Sequence, residues 1–369
     1  MDHTQPGVRV MSKRHPRFEL YPQHEDYYRM FPTYRPFVFW VNEPSYRSKS
    51  VNTDDLGLRH NMLPGGRLLD LRRLKESHRV CDIIVGGSTV FGVDASGDAS
   101  TISACLSSND VPCINLGNRG AVSIQELQLF LFYRPLFPSI RNIILLSGVN
   151  DCSLASLEGS VIFDEFGGLF GQDHYMTYPY MTNLSACYDD RSYDRLRLYN
   201  SIERRYRDNG FFRSLVRGVL AMSYKREPMR NQAYDKRAGF ERKVERQKAI
   251  LANQLFIWKS LADAHGSRLQ YVLQPCIGWT GKELSHEERT CYEMDLEVYP
   301  EMGLYANPDF HSTFAAFIAE TCSRLGVGFH DANEAFDGHK GDSTFFTDVC
   351  HLTDQANRVV AEYVKSKTS

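Results

Sequence analysis

The sequence predicts an α/β protein in which helices cover both faces of a mostly parallel sheet. Short apolar runs rich in Val, Ile and Leu recur along the chain, and they alternate with segments of helical periodicity. Strands buried on both faces are typically continuous apolar runs of this kind. Strands that alternate with helices join by right-handed crossovers into a parallel sheet. We therefore predict a three-layer α/β/α sandwich.

The predicted strands are Val80–Val85, Pro112–Leu116, Asn142–Leu146, Leu269–Leu273 and Val327–His330. The predicted helices run from Ser123 towards Tyr133, over Glu241–His265, over Phe310–Leu325 and onward from His351. Polar turns follow the first three strands directly. Because the strands are parallel, these turns should lie along the same edge of the sheet, where open α/β sheets bind their ligands.

Composition excludes several classes of protein. The chain has 369 residues, a net charge of −2 and no apolar run near the roughly 20 residues of a membrane helix. The N-terminus lacks the apolar stretch of a secretory signal. Its nine cysteines form no CxxC pair, which is typical of free thiols in a reducing compartment. We expect a soluble cytoplasmic protein without a metal site, a cofactor or a membrane span.

Three regions differ in character. Residues 1–74 are predicted to be an arm packed on the core, with an edge strand at Phe37–Val41 and aromatic residues that serve packing. Residues 75–155 and 241–369 carry the alternating pattern and form the predicted catalytic domain. Residues 156–240 lack strand signals and form a predicted, largely helical insertion that resembles a lid.

The insertion is the most basic part of the chain. Between Arg191 and Lys248, 17 Lys and Arg residues oppose seven Asp and Glu residues, a local charge of +10. One interpretation is a solvated helical face that pairs with the acidic remainder. The other is a basic lid that attracts an anionic or carrier-bound substrate. Nucleic acid is not expected as a partner, since no nucleic-acid-binding motif is present.

The turn after the first strand holds a candidate nucleophile, Ser88, preceded by Gly86 and Gly87. Glycines permit a sharp turn and a close approach of substrate to the backbone. On this residue alone, the favoured interpretation of Ser88 is the N-cap of the next helix, and only the residues further along the chain favour a nucleophile. It is not on the nucleophile elbow of α/β-hydrolases, because Val90 stands where that motif has glycine.

A base and an orienting carboxylate occur near the C-terminus, as His351 and Asp348. Three residues apart, their side chains can meet on one face of a single turn. A serine nucleophile needs such a pair, because the base must accept its proton and be held in the correct tautomer. The other acidic residues near these motifs are not expected to take part in catalysis. We expect Asp151 to be structural, and Asp82 and Asp94 to be solvated or to cap helices. The histidines at 174, 286, 311, 330 and 339 are expected to be surface or hydrogen-bonded residues.

Four short blocks resemble those of the SGNH, or GDSL-like, hydrolases. They are Gly87–Ser88–Thr89 (in which Thr89 departs from the usual order), Asn115–Gly120, Ser147–Asp151 and Asp348–His351. All four stand in the family's order, at predicted strand ends or loops. The resemblance covers roughly 75–155 and 265–369.

The resemblance implies a flavodoxin-like sheet and a serine esterase. Ser88 would attack an acyl carbonyl, His351 would act as the base and Asp348 would orient it. The backbone N–H groups of Ser88 and Gly120 and the amide of Asn150 would form the oxyanion hole. The expected substrate is an ester, such as an O-acetyl group, of a sugar or small metabolite. Two alternatives are acyl transfer at the same site and a non-catalytic binding or regulatory protein on the same scaffold.

Overall fold

The computed structural model describes residues 15–76, 79–157, 168–170 and 236–368. The strands of these ranges are β1 (Thr33–Arg35), β2 (Phe39–Val41), β3 (Asn61–Leu63), β4 (Arg67–Leu69), β5 (Val80–Gly86), β6 (Cys113–Gly117), β7 (Ser139–Ser147), β8 (Arg268–Leu273) and β9 (Gly328–Asp331).

The α-helices of the same ranges are α1 (Arg17–Leu20), α2 (His24–Arg29), α3 (Leu71–Glu76), α4 (Ser88–Phe91), α5 (Ile102–Leu106), α6 (Ser123–Tyr133), α7 (Val149–Ser156), α8 (Lys236–Ala264), α9 (His286–Val298), α10 (Pro308–Leu325) and α11 (Asp354–Thr368). Short 3-10 helices lie at Asp98–Ser100, Arg134–Leu136, Ile277–Trp279, Pro300–Leu304 and Ala332–Phe336.

The main sheet has five parallel strands in the order β6-β5-β7-β8-β9. Numbered along the chain within this sheet, the order is 2-1-3-4-5, which is the flavodoxin-like arrangement. Its strands are almost entirely buried, as their continuous apolar sequences require. The prediction of a parallel α/β sheet is confirmed, and each of the five predicted strands is present.

Helices flank the sheet and complete the three layers. Helix α8 packs against α6, α7 and α10, and α11 packs against α5. The apolar faces of these helices and the buried strands form one core, with Trp258 of α8 among its largest fully buried side chains. Helix α8 begins at Lys236, five residues before the predicted start, and ends close to the predicted Gly266.

The segment from residue 15 to 76 forms two hairpins of its own, β1-β2 and β3-β4. Within the predicted edge strand at Phe37–Val41, Phe39–Val41 form β2, which pairs with β1 in a separate two-stranded sheet and is therefore an edge strand. The left-handed backbone at Phe37 and Phe39 turns the chain back on itself. One fully buried arginine, Arg59, ties this segment to the core by bonding Asp98 and the carbonyl of Gly92.

Most of the predicted insertion, and with it the part of the basic run from Arg191 to Asp235, lies outside the described residues, whereas the part from Lys236 to Lys248 belongs to helix α8. Within the described ranges, none of the helices has both the length and the apolar character that crossing a membrane requires.

Close backbone packing at the carboxyl edge of the sheet depends on glycine. A Cβ at Gly117, the last residue of β6, would lie 2.1 Å from the Phe91 nitrogen. A Cβ at Gly86, the last residue of β5, would lie 2.2 Å from the Leu146 carbonyl oxygen. Neither contact can relax by moving a flexible side chain. These glycines bring the turns after β5, β6 and β7 together at this edge.

Candidate active site

Ser88 is the first residue of the short helix α4, directly after β5 and Gly87. Gly87, and not Ser88, is the N-cap of this helix. The Ser88 hydroxyl is directed instead at His351, with 2.7 Å between Oγ and Nε2. The alternative that Ser88 is merely an N-cap is therefore wrong.

Asp348 and His351 lie in a tight loop closed by a bridge between Phe346 and Leu352. The Asp348 Oδ1 atom accepts hydrogen bonds from the backbone N–H groups of Cys350 and His351, at 2.9 and 2.7 Å. Its Oδ2 atom lies 2.6 Å from Nδ1 of His351. The predicted contact between the side chains of Asp348 and His351 is confirmed. Ser88, His351 and Asp348 are thus connected in this order by hydrogen bonds, and we call these three residues the hydrogen-bonded row.

Thr89, which departs from the resembled motif, links the two halves of this row. Its buried hydroxyl donates to the Cys350 carbonyl at 2.9 Å and accepts from the Gln274 amide at 2.7 Å. Gln274 follows β8, whereas Cys350 stands in the loop of His351. Thr89 thereby fixes the loop of His351 relative to the helix that carries Ser88.

Two polar groups from neighbouring turns flank Ser88. The amide nitrogen of Asn150 donates to the Ala121 carbonyl at 2.7 Å, and a Cβ on Gly87 would lie 2.3 Å from that nitrogen. Gly87 therefore lets the amide approach the turn of the serine. Gly120 has a φ of 68°, the left-handed region that favours glycine, and borders the same cavity as Ser88.

The backbone N–H groups of Ser88 and Gly120 form no hydrogen bond with any residue that the structure describes. The amide of Asn150 uses one of its two N–H groups on Ala121 and retains the other. Groups of this kind, at the edge of a cavity, can receive an oxygen that gains negative charge.

Arg17, from the N-terminal segment, contacts both Asp348 and His351 and lines the cavity beside Ser88. Its guanidinium bonds the Asp348 Oδ2 atom, and one terminal nitrogen lies 2.9 Å from Nδ1 of His351. Burial alone disfavours an ionised carboxyl, but the neighbouring Arg17 and His351 hold the pKa of Asp348 well below its usual value. Asp348 is thus a carboxylate, which accepts a hydrogen bond from Nδ1 and leaves Nε2 to accept from Ser88.

Asp94 also binds Arg17, and the solvated or capping role predicted for it is wrong. Its carboxyl is fully buried and bonds the guanidinium at 2.6 and 2.7 Å, Nδ1 of His24 at 2.6 Å and the Thr347 hydroxyl at 2.5 Å. Although burial opposes ionisation, Arg17 and then His24 lower the pKa of Asp94 below its usual value. The cause of the error is the left-handed turn at Asp94, which directs its carboxyl inward.

A cavity of about 460 Å³ opens beside Ser88, Gly120 and His351. Its opposite side consists of residues from the N-terminal segment, among them Tyr27, Met30 and Phe31. Tyr27 is buried in a packed cluster, as predicted for the aromatic residues of this segment, and it also lines the cavity together with Tyr28 and Phe31.

The remaining polar candidates are structural. Asp151 is buried and accepts hydrogen bonds from the Ser123 hydroxyl and backbone and from Gln247, in agreement with its predicted role. Burial raises its pKa to about 6. His311 pairs with Asp331, as expected of a satisfied histidine.

Asp348, Cys350 and His351 also bring ligand-type atoms within 4.8 Å of one another. The grouping does not fit a metal site, because burial raises the pKa of Cys350 well above its usual value and keeps the thiol protonated. The carboxylate and the imidazole are already bonded to each other. We assign no metal to these residues.

The chain was compared with protein families, curated proteins and solved structures, and only solved structures are similar to it. No protein-family model matches the chain, and no curated protein matches it. Solved structures that are similar include an extracellular lipase from Streptomyces rimosus, with 12% identity and a TM-score of 0.41 over 78% of this chain and 99% of the lipase. A phospholipase A1 from Streptomyces albidoflavus has 15% identity and a TM-score of 0.38 over 78% of this chain and 98% of that one.

An aryl esterase from M. smegmatis has 11% identity and a TM-score of 0.35 over 78% of this chain and 99% of that one. Similarity this low assigns neither family nor activity. The fold described above therefore depends on the observed strand order, and the function depends on the geometry of the site.

The charged groups at Arg17 and Asp94 predict a measurable dependence of stability on pH. Both Asp94 and Asp348 have a folded pKa below the unfolded value of about 3.9, so their ionisation stabilises the fold above that pH and the contribution is lost below it. Asp94→Asn removes one of these groups. Between about pH 4 and pH 2, its free energy of unfolding should fall less steeply than that of the wild type, by up to about 1.4 kcal/mol per pH unit.

Denaturant unfolding at a series of pH values measures this slope. Asp55→Asn is the matched control, since Asp55 is exposed and pairs with the exposed Arg72. The control should have the wild-type slope. If Asp94→Asn also has the wild-type slope, the buried carboxyl is not held ionised in the folded protein.

Proposed function

We propose that the protein is a serine ester hydrolase that forms an acyl-enzyme on Ser88. One observation carries the proposal: the Ser88 hydroxyl lies 2.7 Å from an imidazole whose other nitrogen lies 2.6 Å from a buried carboxylate. A serine hydroxyl is a weak nucleophile, and this arrangement activates it. The four blocks that resemble SGNH hydrolases supply these residues and their neighbours.

In the first step, Ser88 Oγ attacks the carbonyl carbon of the ester while Nε2 of His351 accepts the hydroxyl proton. Asp348 holds the proton of Nδ1 and stabilises the imidazolium that forms. The carbonyl oxygen becomes an oxyanion, which the N–H groups of Ser88, Gly120 and Asn150 can bind. His351 then donates its proton to the departing alcohol, and the acyl group remains on Ser88.

In the second step, water takes the place of the alcohol. Nε2 of His351 accepts a proton from the water as its oxygen attacks the acyl carbon, and the same three N–H groups bind the second oxyanion. The proton returns to Oγ of Ser88 as the bond to the acyl group breaks. One ester and one water thus give one carboxylic acid and one alcohol.

The substrate we propose is a small-molecule or carbohydrate ester. The cavity volume of about 460 Å³ lies in the range of small-molecule sites. An O-acetyl group is a small acyl group that fits this volume. Met30, Phe31 and Pro32 form an apolar part of the cavity wall, which can accommodate a longer acyl chain. Hydrolysis rates over a panel of esters that differ in acyl length and in alcohol identify the preferred substrate.

Acyl transfer is the second candidate, because an alcohol can replace water in the second step at the same residues. Analysis of products with and without an added alcohol acceptor distinguishes the two reactions. A binding protein without catalysis is disfavoured by the hydrogen-bonded row and the unpaired N–H groups, since binding alone does not require this combination.

Removal of the nucleophile or the base should abolish turnover. We expect Ser88→Ala and His351→Ala each to lower kcat on an activated acyl ester by at least about 10³-fold, because the members of a triad act as a unit. Asp348→Asn should cause a smaller loss, since the serine and the base remain. Steady-state kinetics on folded protein measure these effects.

Ser260→Ala is the control for these variants, since Ser260 is exposed on helix α8 and bonds only the Phe256 carbonyl. It should keep wild-type activity. Wild-type kcat in Ser88→Ala would refute the serine mechanism.

The amide of Asn150 should act on the transition state more than on the substrate. Asn150→Ala should lower kcat by about 10² to 10³-fold with little change in KM, because one donor to the oxyanion is lost. Asn109→Ala is the matched control, since Asn109 is exposed and bonds Arg67 at the surface. A loss expressed mainly in KM would place Asn150 in substrate binding and not in the oxyanion hole.

A further inference from the structure

Two buried carboxylates share one guanidinium next to the proposed triad. Arg17 bonds Oδ2 of Asp348 and Oδ2 of Asp94 at the same time. The Asp94 side chain is 0% exposed, that of Asp348 6% and that of Arg17 12%. Water therefore screens these charges poorly, and each group depends on the others for its charge state.

Without the arginine, two negative charges would stand near each other in a buried site. Like charges in this situation do not both remain ionised, because one carboxyl takes up a proton. A protonated Asp348 no longer stabilises the imidazolium that His351 forms when it accepts the proton of Ser88. The charge of Arg17 thus supports the proposed reaction through Asp348 and His351, the two triad residues that Arg17 contacts.

Arg17 also has a geometric effect on His351. One terminal nitrogen of its guanidinium is 2.9 Å from Nδ1, and arginine can only donate. That contact alone would favour a deprotonated Nδ1, which is the wrong tautomer for a base that acts through Nε2. Asp348 opposes it, because its Oδ2 atom lies 2.6 Å from Nδ1 and a carboxylate can only accept, which favours a proton on Nδ1.

We propose that Arg17 is a positioning residue that keeps Asp94 and Asp348 ionised together and so holds His351 ready to accept the Ser88 proton. The inference rests on the proposed function and deepens it: the N-terminal segment completes the charge arrangement of the site. Asp94 is the partner of Arg17 in this role, because its carboxylate balances the charge of Arg17 and fixes the orientation of the guanidinium by bonding two of its nitrogens.

Other titratable groups face this pair from the elements packed around it. Asp94 faces His24 of α2, and the loop of His351 contributes Cys350. Helix α9 contributes Cys291 and Asp295, and Asp295 pairs with His15. Burial raises the pKa of Cys291 to about 12 and also raises that of Asp295, so neither adds a negative charge easily. His24 is the nearest further group able to offset the charge of Asp94.

The test uses the full-length protein and four variants. Arg17→Gln keeps hydrogen-bond donors and removes the charge, whereas Arg17→Lys keeps the charge. Asp94→Asn removes the second carboxylate, and asparagine tolerates the left-handed backbone of this position. The fourth variant combines Arg17→Gln with Asp94→Asn. Arg29→Gln is the control, since Arg29 is an exposed arginine of the same segment that pairs with Glu25.

Arg17→Gln should lower kcat at pH 7 by about 10- to 100-fold, which is less than the loss expected of Asp348→Asn, because the Asp348 carboxyl itself is still present. KM should change little. The acid limb of its pH–rate profile should move up by at least about one pH unit. The double variant should recover part of kcat and move the acid limb back, because Asp348 is then the only carboxylate of the pair. Arg17→Lys should keep the wild-type acid limb, and Arg29→Gln should resemble the wild type throughout.

A measurement independent of turnover separates this inference from the proposed function. The ¹³Cγ resonances of Asp94 and Asp348 in protein labelled at aspartate report their ionisation, with assignments from Asp94→Asn and Asp348→Asn. In the wild type both should stay ionised at neutral pH, and in Arg17→Gln one should titrate near neutrality. If the wild type hydrolyses no ester, this titration still supports or overturns the role of Arg17.

Two results would overturn the inference. One is an Arg17→Gln protein with wild-type ionisation of both carboxyls. The other is a loss of kcat that has an unchanged pH profile and no recovery in the double variant, which indicates a structural role of the side chain only. If Arg17→Gln does not fold, Asp94→Asn in the wild-type background decides. Its acid limb should stay or move to lower pH, and a move to higher pH contradicts the proposal.

Discussion

The site depends on a constraint of the backbone: five parallel strands end along one edge, and the chain must leave three of them through turns that nearly touch. Gly86, Gly87 and Gly117 meet this requirement, since a side chain at any of them would overlap a neighbouring atom. The close approach puts the peptide of Ser88 beside Gly120 and Asn150. Ser88, Gly120 and Asn150 thus belong to three successive turns at this edge, and Ser88 and Gly120 line the same cavity. The sheet alone accounts for this part of the site.

The other half of the site depends on buried charge. The His351 loop has no regular element of its own, and it is fixed by Thr89, by the bridge between Phe346 and Leu352 and by the four donors around Asp348. Because buried charges are costly unless they are paired, the ionised forms of Asp94, Arg17 and Asp348 stabilise one another, and none of the three charges is stable without the others. This coupling connects the N-terminal segment, the turn after α4 and the C-terminal loop. The same segment forms the far wall of the cavity, so substrate selection and charge balance both involve it.

The elements that could be predicted from the sequence are those with local signals. The five strands were evident as apolar runs, and Ser88, Asp348 and His351 each stand in a short motif. Helix α9 was missed, although Ser285 and Glu288 form a capping box that the sequence displays as Ser-x-x-Glu. Arg17 was missed for a different reason. It is 331 positions from Asp348 in the chain, and only the folded path of the N-terminal segment brings the two together. Asp94 was misjudged because an aspartate in a turn is more often solvated than buried.

Covalent labelling shows most directly whether Ser88 is a nucleophile that His351 activates. Folded protein is treated with a fluorophosphonate, which reacts with activated serines, and the modified peptide is located by mass spectrometry. We expect one adduct, on Ser88, that does not form after unfolding and that forms much more slowly in His351→Ala. The absence of any adduct on the folded wild-type protein, or an adduct on a different serine, would contradict this role of Ser88.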